Sequence, residues 1–176
     1  METNVNVCIV TAQKFDELNR SIINMFDTLK VDSEDKATFN VLINYSVIAG
    51  KDKKRVSLML HLILRQIADE NGNKIKKKLM KFLGTFPIEG PGRAFNGIHS
   101  IMFEELRFPH KGIYEFSAFI QENEPTIEEF NTDEYGICNH EGVDIAESIK
   151  ITTEEVVKAI EEKKSKLISL SRIKII

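Results

Sequence analysis

The sequence contains little of what marks a secreted scaffold or a membrane protein. Its 176 residues include two cysteines, four prolines and no tryptophan. Cys8 and Cys138 lie in very different contexts, so we expect no disulfide framework and predict a cytoplasmic location. The N-terminus has no basic segment followed by an apolar run, which argues against a secretory signal. The longest apolar stretch, residues 56–64, is interrupted by Ser57 and His61 and is too short to span a bilayer.

The sequence also lacks an excess of one charge. It has 24 Lys and Arg against 27 Asp and Glu, a formal net charge of -3. This balance gives no general attraction to nucleic acid, so any anion site must be a local patch. Hydrophobic residues make up 42% and charged residues 29%, which is ordinary for a folded protein. At this length we expect one domain with an appendage.

Motifs of enzymatic chemistry are missing as well. The sequence has no phosphate-binding loop, no dinucleotide fingerprint after a strand and no nucleophile elbow, so nothing in it supports an enzyme and we expect no cofactor. One weak metal pattern exists, in which Cys138, His140 and Asp144 could bind a metal from a loop. Gly136 and Gly142 bracket it and no helical period surrounds it, so a polar loop is the preferred interpretation.

What the sequence does contain is a series of short strands separated by turn signals. Val5, Val7 and Ile9 alternate with polar residues and predict an opening strand. Residues 14–31 fit a helix or a strand, and we favour a turn near Asp16–Asn19 followed by a strand. A polar loop at residues 32–36 then leads into a predicted strand over 37–48.

A central hairpin is predicted next. Alternate apolar residues from Val56 to Leu64 form one strand, and Asn71-Gly72 is the dipeptide that a type I′ turn requires. In that register Leu64 faces Leu79 and Arg65 faces Lys78, and the return strand ends near residue 83. A loop rich in Gly and Pro follows over 84–97, with a type II turn at Pro91-Gly92. Residues 98–108 are a strand or a short helix.

The strongest strand signal comes after the turn at Pro109 to Gly112. Tyr114, Phe116, Ala118 and Ile120 then share one face of a two-residue period. An acidic connection over 122–150 precedes a helix that Thr152 and Glu155 cap and that runs from about Thr153 to Leu170. We therefore predict an antiparallel β-sandwich, immunoglobulin-like or C2-like, over 1–121 and a C-terminal α-helix with an apolar tail over 151–176.

The order of these elements resembles a known family. A strand ending in an Asn-Gly turn, a glycine-rich connection and the strand Phe108-x-x-x-Gly112-x-Tyr114-x-Phe116 are similar to a widespread bacterial family of β-sandwich proteins of unknown function. The resemblance covers residues 3–121. It implies a fold and no catalytic residue.

Candidate binding residues come from basic positions near the hairpin and the glycine-rich loop. The opposed Arg65 and Lys78 repel each other, and an anion between them would offset this cost, although a solvated face that keeps the sheet soluble is the preferred interpretation. Arg93 lies where backbone N–H groups could face an anion. The candidate ligand-binding residues are Arg65, Lys76, Lys78, Arg93 and His99.

Two functions follow as hypotheses. The first is a non-catalytic interaction module of a bacterium or phage that recognises a protein partner. The second is a binder of a small anionic ligand or nucleotide, which acts as a sensor or sequestering protein through the basic strand face and the 84–99 loop. A metal-dependent enzyme is a third, least favoured hypothesis. The apolar tail Ile173, Ile175 and Ile176 needs a docking surface, so we predict a homodimer through 153–176 or docking within the chain.

Overall fold

The computed structural model describes residues 3–16, 18–19, 21–50, 54–75, 80–122, 162 and 166–176. Nearly all of these residues lie in strands, which confirms the mainly β class. The strands are β1 (Asn4–Asp16), β2 (Ser21–Met25), β3 (Thr28–Leu29), β4 (Lys36–Ile48), β5 (Arg55–Ala68), β6 (Met80–Pro91), β7 (Phe95–Arg107), β8 (Gly112–Glu122) and β9 (Lys166–Ile175).

The strands form two sheets. One sheet has four strands in the order β2-β1-β4-β7, and the other has five in the order β3-β9-β8-β5-β6. The pairing is antiparallel except between β3 and β9, which run parallel, so the expectation of purely antiparallel sheets is wrong at this edge. The parallel pair is tied by the N–H of Lys174 donating to the carbonyl of Asp27 and that of Ile176 to Leu29.

The two sheets share one hydrophobic core. Alternate residues of β4 and β5 point toward each other across the sheets, as a two-residue period requires. Phe39 lies fully buried at the centre. Its ring centroid is 5.8 Å from that of Phe103, 6.1 Å from that of Phe108 and 6.3 Å from that of Phe116. Phe39 therefore joins the four-stranded sheet to β8 of the other sheet.

The predicted turn near Asp16 is confirmed. The carboxylate of Asp16 accepts hydrogen bonds from the backbone N–H groups of Leu18 and Asn19, each at 3.1 Å, and β2 follows. Hydrogen bonds that the Asn19 side chain and these amides donate to the carboxylate lower the pKa of Asp16. The open choice at residues 98–108 resolves to a strand, because β7 spans that segment.

The central hairpin exists, but its predicted turn and register are wrong. Asp69 accepts from the N–H groups of Asn71 and Asn73 through its carboxylate, and Ala68 pairs with Lys74 across a wider turn. Of these turn residues only Gly72 has positive φ, whereas a type I′ turn needs two such residues. Beyond the turn the register also differs from the prediction, since Arg65 faces Met80 rather than position 78 and Leu64 faces Lys81.

The predicted loop over 84–97 is largely strand. β6 continues to Pro91 and β7 begins at Phe95, so the connection between these two strands is only residues 92–94. The predicted type II turn is also wrong, because Gly92 lacks the positive φ that it requires. Two of the glycines serve packing instead: the ring of Phe95 occupies the space beside Gly90, and that of Tyr45 the space beside Gly97.

The predicted C-terminal helix is wrong over residues 166–170, because Lys166–Ile175 is strand β9, whereas Glu162 is helical. Arg172 and Lys174 alternate there with Ile173 and Ile175, and this two-residue period favours a strand. Both isoleucines are buried in the chain's own core, which removes the argument for a dimer built on the tail. The rest of the predicted helix, except Glu162, and the acidic connection beyond Glu122 lie outside the described residues.

A search of the described residues for a membrane span finds no helix with the length and apolar character to cross a bilayer.

Candidate interaction site

The residues predicted to bind a ligand do not form one pocket. Arg65 lies on β5 on the side of its sheet away from the core, with its guanidinium carbon 5.6 Å from the ring centroid of Phe119. Arg93 is exposed in the connection between β6 and β7. His99 lies on β7 and faces the interior. Lys76 and Lys78, like the metal candidates Cys138, His140 and Asp144, lie outside the described residues.

His99 is part of a cluster at the open side between the sheets, which we call the aromatic corner: Tyr45, Phe86, Phe95 and His99. The imidazole centroid lies 5.2 Å from that of Tyr45 and 5.8 Å from that of Phe86. Tyr45 also meets Phe95 edge-on at 6.5 Å. The corner joins β4 and β7 of one sheet to β6 of the other, and Gly97 leaves the space that the Tyr45 ring occupies.

Burial controls the protonation of His99. Loss of water around the ring lowers its pKa below the ordinary value of 6.5, and a hydrogen bond with the Pro87 backbone partly opposes this effect. Among the described residues the buried Nε2 atom has no hydrogen-bond partner. The neutral imidazole therefore packs as an aromatic group, and this geometry suits a structural role better than that of a general base.

Replacing His99 should reduce the dependence of stability on pH. The unfolded chain takes up this proton near pH 6.5, whereas the folded chain takes it up at a lower pH. As the pH falls below about 6.5, the unfolded state therefore binds the proton first and the free energy of unfolding decreases until the folded pKa is reached. We expect His99→Phe to flatten this decrease in thermal melts recorded between about pH 8 and about pH 5. Equal slopes for the two proteins would contradict the buried, neutral imidazole.

A more extensive feature covers the outer side of the four-stranded sheet. The side chains of β1, β4 and β7 that point away from the core include no Asp, Glu, Lys or Arg over three paired segments, and we call this surface the uncharged face. Its members are Asn4, Asn6, Cys8, Val10, Asn40, Asn44, Ser46, Ile48, Asn96, Ile98, Ser100 and Met102, whereas Ala12 and Leu42 occupy the same side of the sheet but are fully buried.

The strand register arranges the uncharged face in rows. Cys8 is opposite Asn44, which is opposite Ile98, and the next row runs from Asn6 through Ser46 to Asn96. Amide, hydroxyl and aliphatic groups are therefore interleaved on a flat sheet. A surface of this kind can form hydrogen bonds to a partner without removing water from an ionic group.

Large apolar side chains are unusually exposed on and beside the uncharged face. Met102 is 58% exposed, Ile48 52% and Ile98 40%. Met25 of β2 extends the surface beside Ala12 and is 67% exposed. Some of their neighbours in the same rows are partly buried, so these side chains are fixed on a sheet surface rather than on a loop. Several exposed apolar side chains on one sheet surface without charge are typical of a contact surface for another macromolecule.

The uncharged face could not be recognised from the sequence. The three segments are far apart in the sequence, and β4 and β7 become neighbours only through the sheet order. Each segment nevertheless contains the signal, because alternate residues of a strand that should face water are Asn, Ser or aliphatic rather than charged. The missing charges were detectable, but their assembly into one surface was not.

The shallow cavity beside β3 offers less chemistry. It has a volume of about 340 Å³ and is lined by residues that include Asp32, Lys36 and Glu105. Lys36 lies 2.8 Å from Glu34 and 3.4 Å from Glu105, so its charge is balanced within the chain. These hydrogen bonds to Glu34 and then Glu105 raise the pKa of Lys36. No cluster of metal-ligating side chains exists among the residues that the structure describes.

Comparisons with known proteins add little. No protein-family profile and no curated protein matches the sequence. Among solved structures, the X-ray structure of Northeast Structural Genomics Consortium target SoR45 aligns with a TM-score of 0.33 at 13% sequence identity. The alignment covers 99% of this chain and 89% of that chain. A score this low supports no argument, and the resemblance to a bacterial β-sandwich family stays a prediction.

Proposed function

We propose that this protein is a non-catalytic interaction module that recognises a protein partner through the uncharged face. The observation that supports the proposal is the exposure of Ile48, Ile98 and Met102 on the uncharged face, with the exposed Met25 beside it. The sandwich class, immunoglobulin-like or C2-like, and a cytoplasmic location in a bacterium or infected cell belong to the same proposal.

The chemistry of the face defines the partner. Interface centres are depleted in charged residues and enriched in methionine and aromatic residues, which matches the exposed Met25 and Met102. The amides of Asn6, Asn44 and Asn96 each offer a donor and an acceptor. We therefore expect a protein whose contact surface is itself uncharged and combines apolar side chains with hydrogen-bonding groups.

Placing a charge on the face should abolish recognition. Because an interface would leave the new ammonium group buried without a partner, Asn6→Lys and Met25→Lys should each reduce binding at least about tenfold. The assay is affinity capture from the organism that encodes the chain, with quantitative mass spectrometry of the captured proteins.

Leu18→Lys is the matched control. It also adds a charge, and Leu18 is 96% exposed in the turn between β1 and β2. We expect the control to capture the same proteins as the wild type and both face variants to lose them. The proposal is wrong if the face variants retain every specific partner, or if Leu18→Lys loses them equally.

A further inference from the structure

In the described part of the chain the two sheets have four outermost strands, and three of these are short or contain prolines. β2 and β3 pair with only parts of their neighbours, from Ala12 to Asp16 of β1 and at Lys174 and Ile175 of β9. β3 contains two residues, and β2 contains five with Asn24 at a φ of 52°. β6 includes Pro87 and Pro91, which cannot donate a backbone hydrogen bond, and its ladder is irregular near Gly84. Short strands, prolines and bulges are the devices that prevent one sheet edge from joining another.

The fourth outermost strand, β7, is regularly paired from Phe95 to Phe103, and its one irregularity, a register shift with Glu105 at a φ of 51°, lies near its end. It spans thirteen residues, and from Phe95 to Phe103 it contains no proline and no charged residue. Within the described part of the chain β7 pairs with β4 alone, so its other side presents unpaired backbone N–H and C=O groups. Such an edge can accept an additional strand.

We propose that a second copy of this chain pairs antiparallel with β7, around a two-fold axis near His99. The charges at the two ends of the strand support this occupant. Arg93 precedes β7, and Glu104 and Glu105 lie near its end. Antiparallel pairing places the start of one strand against the end of the other, so Arg93 of each copy faces the glutamates of its counterpart.

The alternative orientation is unfavourable. Parallel pairing would place Arg93 of one copy opposite Arg93 of the other, and the glutamates of one copy opposite those of the other. Like charges opposed across strands destabilise a sheet. In the antiparallel arrangement the uncharged middle of β7 opposes itself, and Ile98 of one copy lies beside Ser100 of the other. The two four-stranded sheets then form one eight-stranded sheet with a continuous uncharged face.

Charge reversal at the strand ends tests the proposal with the full chain. We expect the wild type to be a dimer at micromolar concentration in sedimentation experiments. Arg93→Glu and Glu104→Arg should each weaken the dimer about tenfold, since each breaks two symmetric ion pairs, and the double variant should restore it. Lys174→Glu on β9 makes the same charge change in the other sheet and should leave the dimer unchanged.

Backbone exchange provides a second measurement that does not depend on a variant. Amide hydrogens of β7 should become more protected as the protein concentration rises, while those of β6 should not change. A monomer at high micromolar concentration overturns the proposal. So does a dimer that is insensitive to the strand-end charges, or one that protects β9, which would place the interface within residues 153–176.

This inference is independent of the proposed function. The dimer rests on the β7 edge, whereas partner recognition is probed at Asn6 and Met25 on the other side of the sheet. An Arg93→Glu monomer that still captures the partner separates the two. Retained capture by Asn6→Lys and Met25→Lys, with the dimer intact, would contradict only the role of the uncharged face.

Discussion

Phe39→Ala is expected to cost about 3–5 kcal/mol of the free energy of unfolding. The side chain is fully buried, and its ring lies within 6.3 Å of four other phenylalanine rings. Removing it leaves a cavity between the two sheets that the surrounding rings cannot fill without moving. Since domains are stable by only about 5–15 kcal/mol, this cost is a large fraction of the total stability.

Urea denaturation measures the effect against an exposed control. Leu18→Ala removes an apolar side chain that is 96% exposed, so it should change the free energy of unfolding by no more than about 0.5 kcal/mol. If Phe39→Ala cost less than about 1 kcal/mol, the sheets would not share the core that the structure shows.

Gly112→Ala is the second large effect. Gly112 has a φ of 141°, a conformation that other residues rarely adopt. A Cβ atom there would also overlap the backbone carbonyl oxygen of Ala68, which cannot move as a flexible side chain could. Backbone strain and the overlap together should cost about 3 kcal/mol.

Gly72→Ala separates the two causes. Gly72 also has positive φ, at 84°, but no atom lies within 4 Å of its would-be Cβ. This variant should therefore lose only about 1 kcal/mol, the cost of the conformation alone. Equal losses in the two variants, measured by urea denaturation, would show that the close approach of Ala68 to Gly112 does not contribute.

Local signals were sufficient for several elements and failed where distant residues decide the conformation. The alternation of Tyr114, Phe116 and Ala118 correctly predicted a strand with an aromatic face toward the core. Gly90 and Gly97 look like loop residues in the sequence, yet they belong to strands because aromatic rings pack over them. That packing depends on residues from other strands, so a local pattern could not reveal it.

The hairpin and the C-terminus show two further limits. Asn71-Gly72 predicts a tight turn, but the carboxylate of Asp69 binds the amides of the turn and widens it. In the C-terminal segment the apolar residues before Leu170 repeat with a helical period, and those after it repeat with a strand period. Hydrogen bonding to β8 makes the segment a strand. The candidate site depended even more on the fold, since it combines three strands that are not consecutive in the chain.

Site-specific photo-crosslinking in the native cell tests the recognition surface most directly. A photoreactive amino acid replaces Asn6 or Met25 on or beside the uncharged face, and Leu18 or Lys174 at exposed positions elsewhere. We expect both face positions to crosslink to the same partner protein and the two other positions not to crosslink to it. Crosslinks confined to Leu18 or Lys174, with none from the face, would contradict it.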